Sequence, residues 1–156
     1  MLDELQRQLK QTKPFGSREE AVYLAIQVVA DEQRAKFHDL FKASDLTGAQ
    51  YNVLRILRGA GKDGLSCREI GERMISRDSD ITRMLDRLES RELITRERQT
   101  DDRRVVLTFI TKIGLDLLSE LDGPVDELHR SLMGHMSDKE LDSLLKLLGK
   151  TRANGS

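Results

Sequence analysis

Residues 66–110 constrain the fold most strongly, because two short amphipathic helical segments are followed there by two β-favouring segments. The helical segments are expected over residues 67–74 and about 79–91, with a break of a few residues between them. The β-favouring segments, 93–98 and 105–110, flank a polar, turn-like link and predict a hairpin. Two short helices in close succession are the sequence form of a helix-turn-helix, to which the hairpin adds a wing. The predicted fold class is therefore mainly α with a small β-wing, a winged helix-turn-helix.

The second of these two helices is predicted to have one apolar and one polar side. Ile81, Leu85 and Leu88 form the stripe that we expect to be buried, and Asp78 or Ser79 is expected to cap the first turn. The opposite side fits a DNA major groove, in which arginine can reach the O6 and N7 acceptors of guanine. The residues predicted to contact DNA from this region are Arg77, Ser79, Asp80, Thr82, Arg83 and Arg87.

The spacing of charges on this helix also allows a purely structural interpretation. Arg83 could pair with Asp80 on a solvated surface. Arg87 could pair with Glu89 or Asp86 in the same way. On helical spacing alone, DNA contact and ion pairing on a solvated surface both remain open. The hairpin that follows the helix in the sequence favours DNA binding.

The net charge by itself gives no support for nucleic-acid binding. The chain carries 26 Lys and Arg residues against 27 Asp and Glu residues, a formal charge of −1. Residues 66–104 hold ten basic and ten acidic residues, and all ten basic ones are arginine. Because the planar guanidinium suits bidentate contacts to phosphate and guanine, this segment is consistent with DNA binding as well as with a solvated, ion-paired surface.

Further helices are predicted on both sides of this region. Capping signals indicate a long helix over about 18–43. They also indicate a helix that begins after Thr47 and two more that begin after Thr111 and after Ser137. The apolar stripes of the long helix and of the helices after Thr111 and Ser137 exceed what a small winged helix needs to cover itself. They must therefore bury against each other or against a partner. A two-fold homodimer would supply that cover.

These segments resemble the MarR family of multiple-antibiotic-resistance-type transcriptional regulators from about Ser17 to Leu148. The residues that carry the resemblance are 80–89, 93–97, 101–107 and 111–114. The resemblance implies a homodimeric regulator, with repression as the expected mode of action, that binds an inverted repeat in double-stranded DNA. In the single chain 1–156, residues 17–46 and 111–150 would be dimerisation helices, and residues 47–110 would form the DNA-binding lobe.

The hairpin tip is predicted to contact DNA as well. An exposed arginine on a thin ribbon can enter the narrow, electronegative minor groove, and Asp102 can orient the guanidinium two positions later. In the family the arginine of this Asp-x-Arg pattern enters the groove, which implies Arg104 here. The predicted wing residues are Asp102, Arg103 and Arg104, and Ser66 is expected to contact a phosphate.

The resemblance further implies a crevice for a small aromatic or lipophilic effector. Phe37, His38, Phe41 and Tyr51 are expected to line it, which gives aromatic walls and one titratable donor. A small aromatic carboxylate would fit such a crevice.

The remaining reactive residues do not form a convincing site. Cys67 shares a stripe with Ile70 and Met74, so we expect a small buried core residue rather than a redox sensor. His129 and His135 are six residues apart, which misses the i, i+4 geometry for a shared metal. No nucleophile, base and orienting group can be assembled. We therefore expect no enzyme, no metal and no cofactor.

The chain offers no membrane-spanning candidate in its sequence. No apolar run approaches the roughly 20 residues needed to cross a bilayer, and residues 1–10 lack the apolar stretch of a signal peptide. A single cysteine excludes an internal disulfide. We expect a cytoplasmic protein without a membrane partner. A helical interaction module and a zinc- or thiol-dependent enzyme are the competing function classes.

Overall fold

A computed structural model describes residues 2–76, 80–99 and 105–153. Those ranges are mostly helical and hold a small antiparallel sheet, which confirms the predicted fold class. The elements are α1 (Leu2–Gln8), α2 (Arg18–Lys42), α3 (Gly48–Ala60), a 3-10 turn (Gly61–Asp63), β1 (Leu65–Ser66), α4 (Cys67–Arg73), α5 (Ile81–Ser90), β2 (Ile94–Arg98), β3 (Val106–Ile110), α6 (Lys112–Met133) and α7 (Asp138–Ala153).

The sheet has the strand order β1-β3-β2, with β3 in the centre. The hairpin predicted from the sequence is formed by β2 and β3, whose register runs from Ile94 opposite Ile110 to Arg98 opposite Val106. Strand β1 adds two residues on the other side of β3, with Leu65 opposite Thr108. The sequence did not predict β1, because two residues are too few to show a period.

One core joins the lobe to the helix behind it. Leu54 of α3, Ile70 of α4, Leu88 of α5 and Ile94 of β2 are almost completely buried together, and Leu118 of α6 is buried in the same cluster. The buried cluster therefore holds the sheet, the helix-turn-helix and the first half of α6 as one unit.

A bidentate ion pair reinforces the junction between α3 and α6. The guanidinium of Arg58 donates to both carboxylate oxygens of Asp122, at 2.9 and 3.0 Å. This hydrogen bonding is the main reason why the pKa of Arg58 is raised above its usual value. The pair links α3 to the middle of α6 across the junction.

The N-terminal cap of α5 differs from the prediction. Asp80 occupies the cap position, and its carboxylate accepts a hydrogen bond from the backbone N–H of Arg83 at 3.2 Å. The helix therefore begins at Ile81, two residues later than expected. An aspartate directly before the helix can reach the third backbone N–H, so Asp80 meets the requirement that was assigned to Asp78 or Ser79.

Cys67 is exposed, which contradicts the predicted buried position. Ile70 and Met74 of the same stripe are buried as expected. Cys67 is the first residue of α4, and helical side chains lean towards the N-terminus. Its thiol consequently extends past the end of the helix instead of onto the core.

Apolar surface remains uncovered on the helices outside the lobe. Leu145 and Leu147 of α7 are 69% and 59% exposed, and Val22 and Tyr23 of α2 are also exposed. Leu141, Leu144 and Leu148 share one side of α7 with Leu145. Within the ranges that the structure describes, no helix has both the length and the hydropathy to cross a membrane.

Candidate nucleic-acid interface

Helix α5 buries one side and exposes the other. Leu85 and Leu88 face the core, whereas Thr82, Arg83 and Arg87 are exposed. This division matches the stripe that the sequence indicated. The outer side of α5 thus carries two arginines and a hydroxyl on a helix that its core packing holds in place.

Arg83 has only a weak partner in the chain. Its Nε lies 3.5 Å from Oδ2 of Asp80, and the two side chains are 73% and 63% exposed. An exposed pair of this kind contributes about 0.2–1 kcal/mol, so it is readily exchanged for a phosphate or a base. The ion pair between Arg83 and Asp80, which was predicted for a solvated helix surface without DNA binding, is therefore present. It is weak, and the guanidinium of Arg83 remains accessible to another partner.

The acidic residues of α5 pair with the sheet and not with Arg87. The guanidinium of Arg96, on β2, donates to Asp86 at 2.7 Å and through Nε to Glu89 at 2.9 Å. The hydrogen bond to Glu89 is the main reason why the pKa of Arg96 is raised. Arg87 has no ion pair among the residues that the structure describes.

Sequence reasoning missed this bridge, because Arg96 lies seven and ten residues from its partners and on a different element. A pattern search along one helix face cannot find such a pair. The bridge locks the second half of α5 against the hairpin, and it draws two carboxylates towards the sheet side of the helix.

The polar groups of Ser66 are used in the hydrogen bonds that cap α4. Its backbone N–H and its hydroxyl both donate to the carboxylate of Glu69, at 2.8 and 2.7 Å. The backbone hydrogen bond from Ser66 is the largest cause that lowers the pKa of Glu69. A phosphate contact by Ser66 stays a prediction, and it would require the phosphate to replace that carboxylate.

The other predicted DNA contacts lie outside the described residues. These are Arg77 and Ser79 before α5, and Asp102, Arg103 and Arg104 at the hairpin tip. The described part of the hairpin continues to Gln99, whose N–H donates to the carbonyl of Val105 at 3.0 Å.

Comparisons with known proteins identify the family. A sequence model described as the MarR family matches residues 46–106. A solved MarR transcription factor from Planctomyces limnophilus is 36% identical, with a TM-score of 0.68, and the match covers 86% of this chain and 98% of that protein. The chain belongs to the MarR family.

Two further proteins are similar in sequence or structure. The HTH-type transcriptional repressor MdtR of Bacillus subtilis (strain 168) is 34% identical over 93 residues, which are 60% of this chain and 59% of MdtR. BpsR of Bordetella bronchiseptica is 25% identical with a TM-score of 0.77, over 90% of this chain and 98% of BpsR. Its structure was described for the regulation of its DNA binding by 6-hydroxynicotinic acid. The chain is thus a MarR-family transcriptional regulator and not an enzyme, as the sequence predicted.

The aromatic residues predicted for an effector crevice of this MarR-family protein pack against one another. The rings of Phe41 and Tyr51 stack with centroids 4.3 Å apart, and Phe37 stacks on Phe41 at 5.8 Å. Phe41 and Tyr51 are buried, and burial is the largest cause that raises the pKa of the Tyr51 phenol. His38 is exposed and faces a different cavity, beside α5.

The histidines and Cys67 form no metal cluster in this MarR-family chain. The ring of His129 packs on Phe37 with centroids 5.2 Å apart. Among residues 2–76, 80–99 and 105–153, no three His, Cys, Asp or Glu side chains are placed to hold a metal ion.

Proposed function

We propose that this protein represses transcription in the cytoplasm by binding an inverted repeat in double-stranded DNA as a homodimer. The observation that carries the proposal is the outer side of α5, where Arg83 and Arg87 are exposed while the neighbouring carboxylates pair with Arg96. Such a surface offers two cationic forks to a major groove, and Asp80, the carboxylate next to Arg83, is exposed and only weakly paired with it.

The direction of α5 adds to this fit. Apart from the N–H of Arg83, which Asp80 already binds, its first turn offers backbone N–H groups and the positive end of the helix dipole to a phosphate. Arg83 would then reach the guanine acceptors in the groove. Asp80, Thr82 and Arg87 would make neighbouring contacts, with Arg77 and Ser79 extending them before the helix.

The wing would add a second, less selective contact. The proposed contact comes from the link between β2 and β3, because an exposed arginine on a thin ribbon suits the narrow minor groove. Arg104, oriented by Asp102, is the proposed groove residue, and Arg103 is proposed beside it.

The homodimer is proposed from the uncovered apolar surface. Residues 17–46 and 111–150 would form the dimerisation region, while residues 47–110 form the DNA-binding lobe. Exposed Leu145, Leu148 and Tyr23 would be covered across a two-fold axis. That symmetry would place the two α5 helices about one turn of DNA, roughly 34–36 Å, apart, which is why the site should be an inverted repeat.

Repression and a small-molecule signal are proposed from the relatives. MdtR is named a repressor, and the DNA binding of BpsR is regulated by an aromatic acid. For this chain, an aromatic ligand among Phe37, His38, Phe41 and Tyr51 would require the stacked rings to part. An effector is therefore part of the proposal, and an already open cavity is the better place to look for its site.

Arg83→Ala should weaken binding to the preferred DNA site by about 1–3 kcal/mol and relax selectivity at one base pair in each half-site, because a base-edge contact is lost. The preferred site is obtained by selecting bound sequences from a random DNA pool, and affinity is measured by fluorescence anisotropy at several salt concentrations. Arg7→Ala removes an equally exposed arginine, likewise paired three residues away, from α1, which lies outside the lobe and the proposed dimerisation helices. It should leave the affinity unchanged. Salt-insensitive or absent DNA binding by the wild-type protein would favour the interaction-module alternative.

Arg96→Met should weaken DNA binding more than it weakens the fold. The substitution frees Asp86 and Glu89 beside the phosphates, so the affinity should fall about tenfold through added repulsion. The free energy of unfolding should fall by only about 1 kcal/mol, since the guanidinium is partly exposed. Anisotropy titration and urea unfolding measure the two effects, and Arg98→Met on the same strand is the matched control. Equal affinities of wild type and Arg96→Met would show that the bridge has no role in DNA binding.

A further inference from the structure

The long helix α2 is joined to the lobe by aromatic packing at its C-terminal end. The ring of Phe41, in the last turn of α2, is buried and stacks on the ring of Tyr51 of α3 with centroids 4.3 Å apart. Beside this contact, an open cavity of about 380 Å³ separates the end of α2 from the second half of α5. Because this gap is open and not packed, close packing alone does not fix the angle between α2 and α5.

Arg91 spans the gap between these two helices. It is the C-terminal cap residue of α5, and its guanidinium donates to the backbone carbonyls of Ser44 and Asp45 at 3.0 and 2.5 Å. Both carbonyls follow directly after the end of α2. The arginine therefore also places its positive charge at the negative end of the α2 dipole. One side chain thus connects the C-terminal ends of two helices.

The turn that receives Arg91 is itself held in one conformation. The N–H of Leu46 donates to the carbonyl of Phe41 and the N–H of Asp45 to that of Lys42, each at 3.1 Å. Asp45 has a φ of 51°, the left-handed conformation in which helices commonly end. Its carboxylate is 96% exposed and 4.0 Å from Arg91, so the backbone carbonyls carry the contact and the ion pair adds little.

We propose that Arg91 is a positioning residue that fixes α5 relative to α2 and thereby sets the half-site spacing that the homodimer accepts. This rests on the proposed function, in which α2 belongs to the dimerisation region and α5 reads the DNA. The aromatic contact and the Arg91 contact hold the lobe at two separate points, which removes the pivot that a single point would leave. Arg91 acts at a distance, because it lies roughly 15 Å along α5 from the turn proposed to enter the groove.

Half-site spacing is a strict geometric test of this angle. One added base pair moves a half-site by about 3.4 Å along the DNA and turns it by about 35° around the axis. A dimer with fixed lobes cannot follow both changes, so it engages one half-site and loses the gain from linked binding. A dimer with pivoting lobes follows part of the change, but it loses more conformational freedom on the best site. Loss of the Arg91 contact should therefore weaken the best site and flatten the spacing preference.

The position of the lobes is measured first in the free protein. Cys67 is the single cysteine of the chain and is exposed on α4, so a nitroxide attached to it reports the distance between the two lobes of a dimer by pulsed electron paramagnetic resonance. We expect a narrow distance distribution for the wild type and a roughly twofold broader one for Arg91→Met. Asp45→Asn keeps both backbone carbonyls and tolerates a positive φ, so it should match the wild type. Equal widths for wild type and Arg91→Met would overturn the proposal.

The second test measures DNA affinity by fluorescence anisotropy. The probes are the selected inverted repeat, the same repeat with one base pair added between the half-sites, and an isolated half-site. The added base pair should weaken binding of the wild type about a hundredfold and binding of Arg91→Met only about tenfold. Arg91→Met should bind the selected repeat about tenfold more weakly than the wild type and the half-site equally well. Arg91→Lys keeps the charge but not the two-pronged contact, so its values should lie between those two.

A purely structural role of Arg91 would give a different result. Arg91→Met would then unfold at a lower urea concentration, but the ratio of its affinities for the two spacings would equal that of the wild type, which would contradict the proposal. Equal binding of both spacings by the wild type would contradict it as well. A wild type that binds no DNA contradicts the proposed function, while the spin-label distances still decide whether Arg91 holds the lobe in place. A monomeric wild type contradicts both.

Discussion

Replacing Gly114 with alanine should destabilise the protein by about 3 kcal/mol. Gly114 is in the first turn of α6, and a Cβ atom there would collide with the backbone carbonyl of Leu93 and lie 2.8 Å from Cγ1 of Ile110. The carbonyl cannot move away easily, because it accepts the N–H of Thr111 at 3.1 Å. The hydroxyl of Thr111 in turn accepts the N–H of Gly114 and donates to the carbonyl of Glu92. The steric clash would therefore strain the contact between the sheet and the first turn of α6.

Gly123→Ala is the matched control for this substitution. Gly123 lies in the same helix, and a Cβ atom added there meets nothing within 4 Å. Because alanine favours a helix over glycine, this variant should be stabilised by up to about 1 kcal/mol. Urea unfolding followed by circular dichroism measures both changes, which are expected to have opposite signs. A shift of similar size and sign in the two variants would contradict the close packing at Gly114.

Replacing Leu145 with aspartate should abolish the proposed homodimer and weaken binding to the inverted repeat at least a hundredfold, as expected when two linked half-site contacts become separate ones. Leu145 is 69% exposed in the single chain, so aspartate is tolerated there as long as the chain is alone. Across an apolar dimer contact, the same carboxylate would be desolvated without a partner, at a cost of several kcal/mol. The fold of the lobe should survive, whereas the association should not.

Analytical ultracentrifugation over a concentration series measures the oligomeric state, and anisotropy with whole and half sites measures the loss of affinity. Ser143→Asp makes the same change of charge on the same helix, but it lies off the side that carries Leu141, Leu144, Leu145 and Leu148. It should leave the dimer and the affinity for the whole site unchanged. Wild-type protein that sediments as a monomer at micromolar concentration and still binds the inverted repeat tightly would refute the dimerisation proposal.

Local chemistry made much of the fold predictable. Helix starts at Ser17, Thr47, Ser66 and Thr111 were expected from capping signals, and in each of them the side chain accepts a backbone N–H in the structure. The buried stripe of α5 followed from its helical period, and the hairpin followed from two runs of β-favouring residues. These features depend on residues within a few positions of one another, so the chain alone carries the information.

Other features depend on distant residues and could not be found in this way. The bridge from Arg96 to α5 and the cavity between α2, α3 and α5 arise only when separate elements pack together. Helix α1 has only seven residues and none of them is buried, so the spacing of Leu2 and Leu5 is too short a pattern to establish a helix. The helical period that grouped Cys67 with Ile70 and Met74 correctly predicted that the other two are buried. Cys67 is exposed because it lies at the very start of the helix.

The bridge between Arg96 and the acidic residues of α5 also affects how the protein would meet DNA. With a formal charge of −1, the molecule as a whole is not attracted to a polyanion, and most orientations of approach gain nothing. Because Asp86 and Glu89 are drawn to the sheet side, we expect the attraction to be strongest in encounters that bring α5 and the proposed wing arginines to the duplex. Random genomic DNA would therefore retain little of the protein, and the free pool that searches for a site would stay large. Selectivity would then begin with the orientation in which the protein approaches DNA, before any base is read.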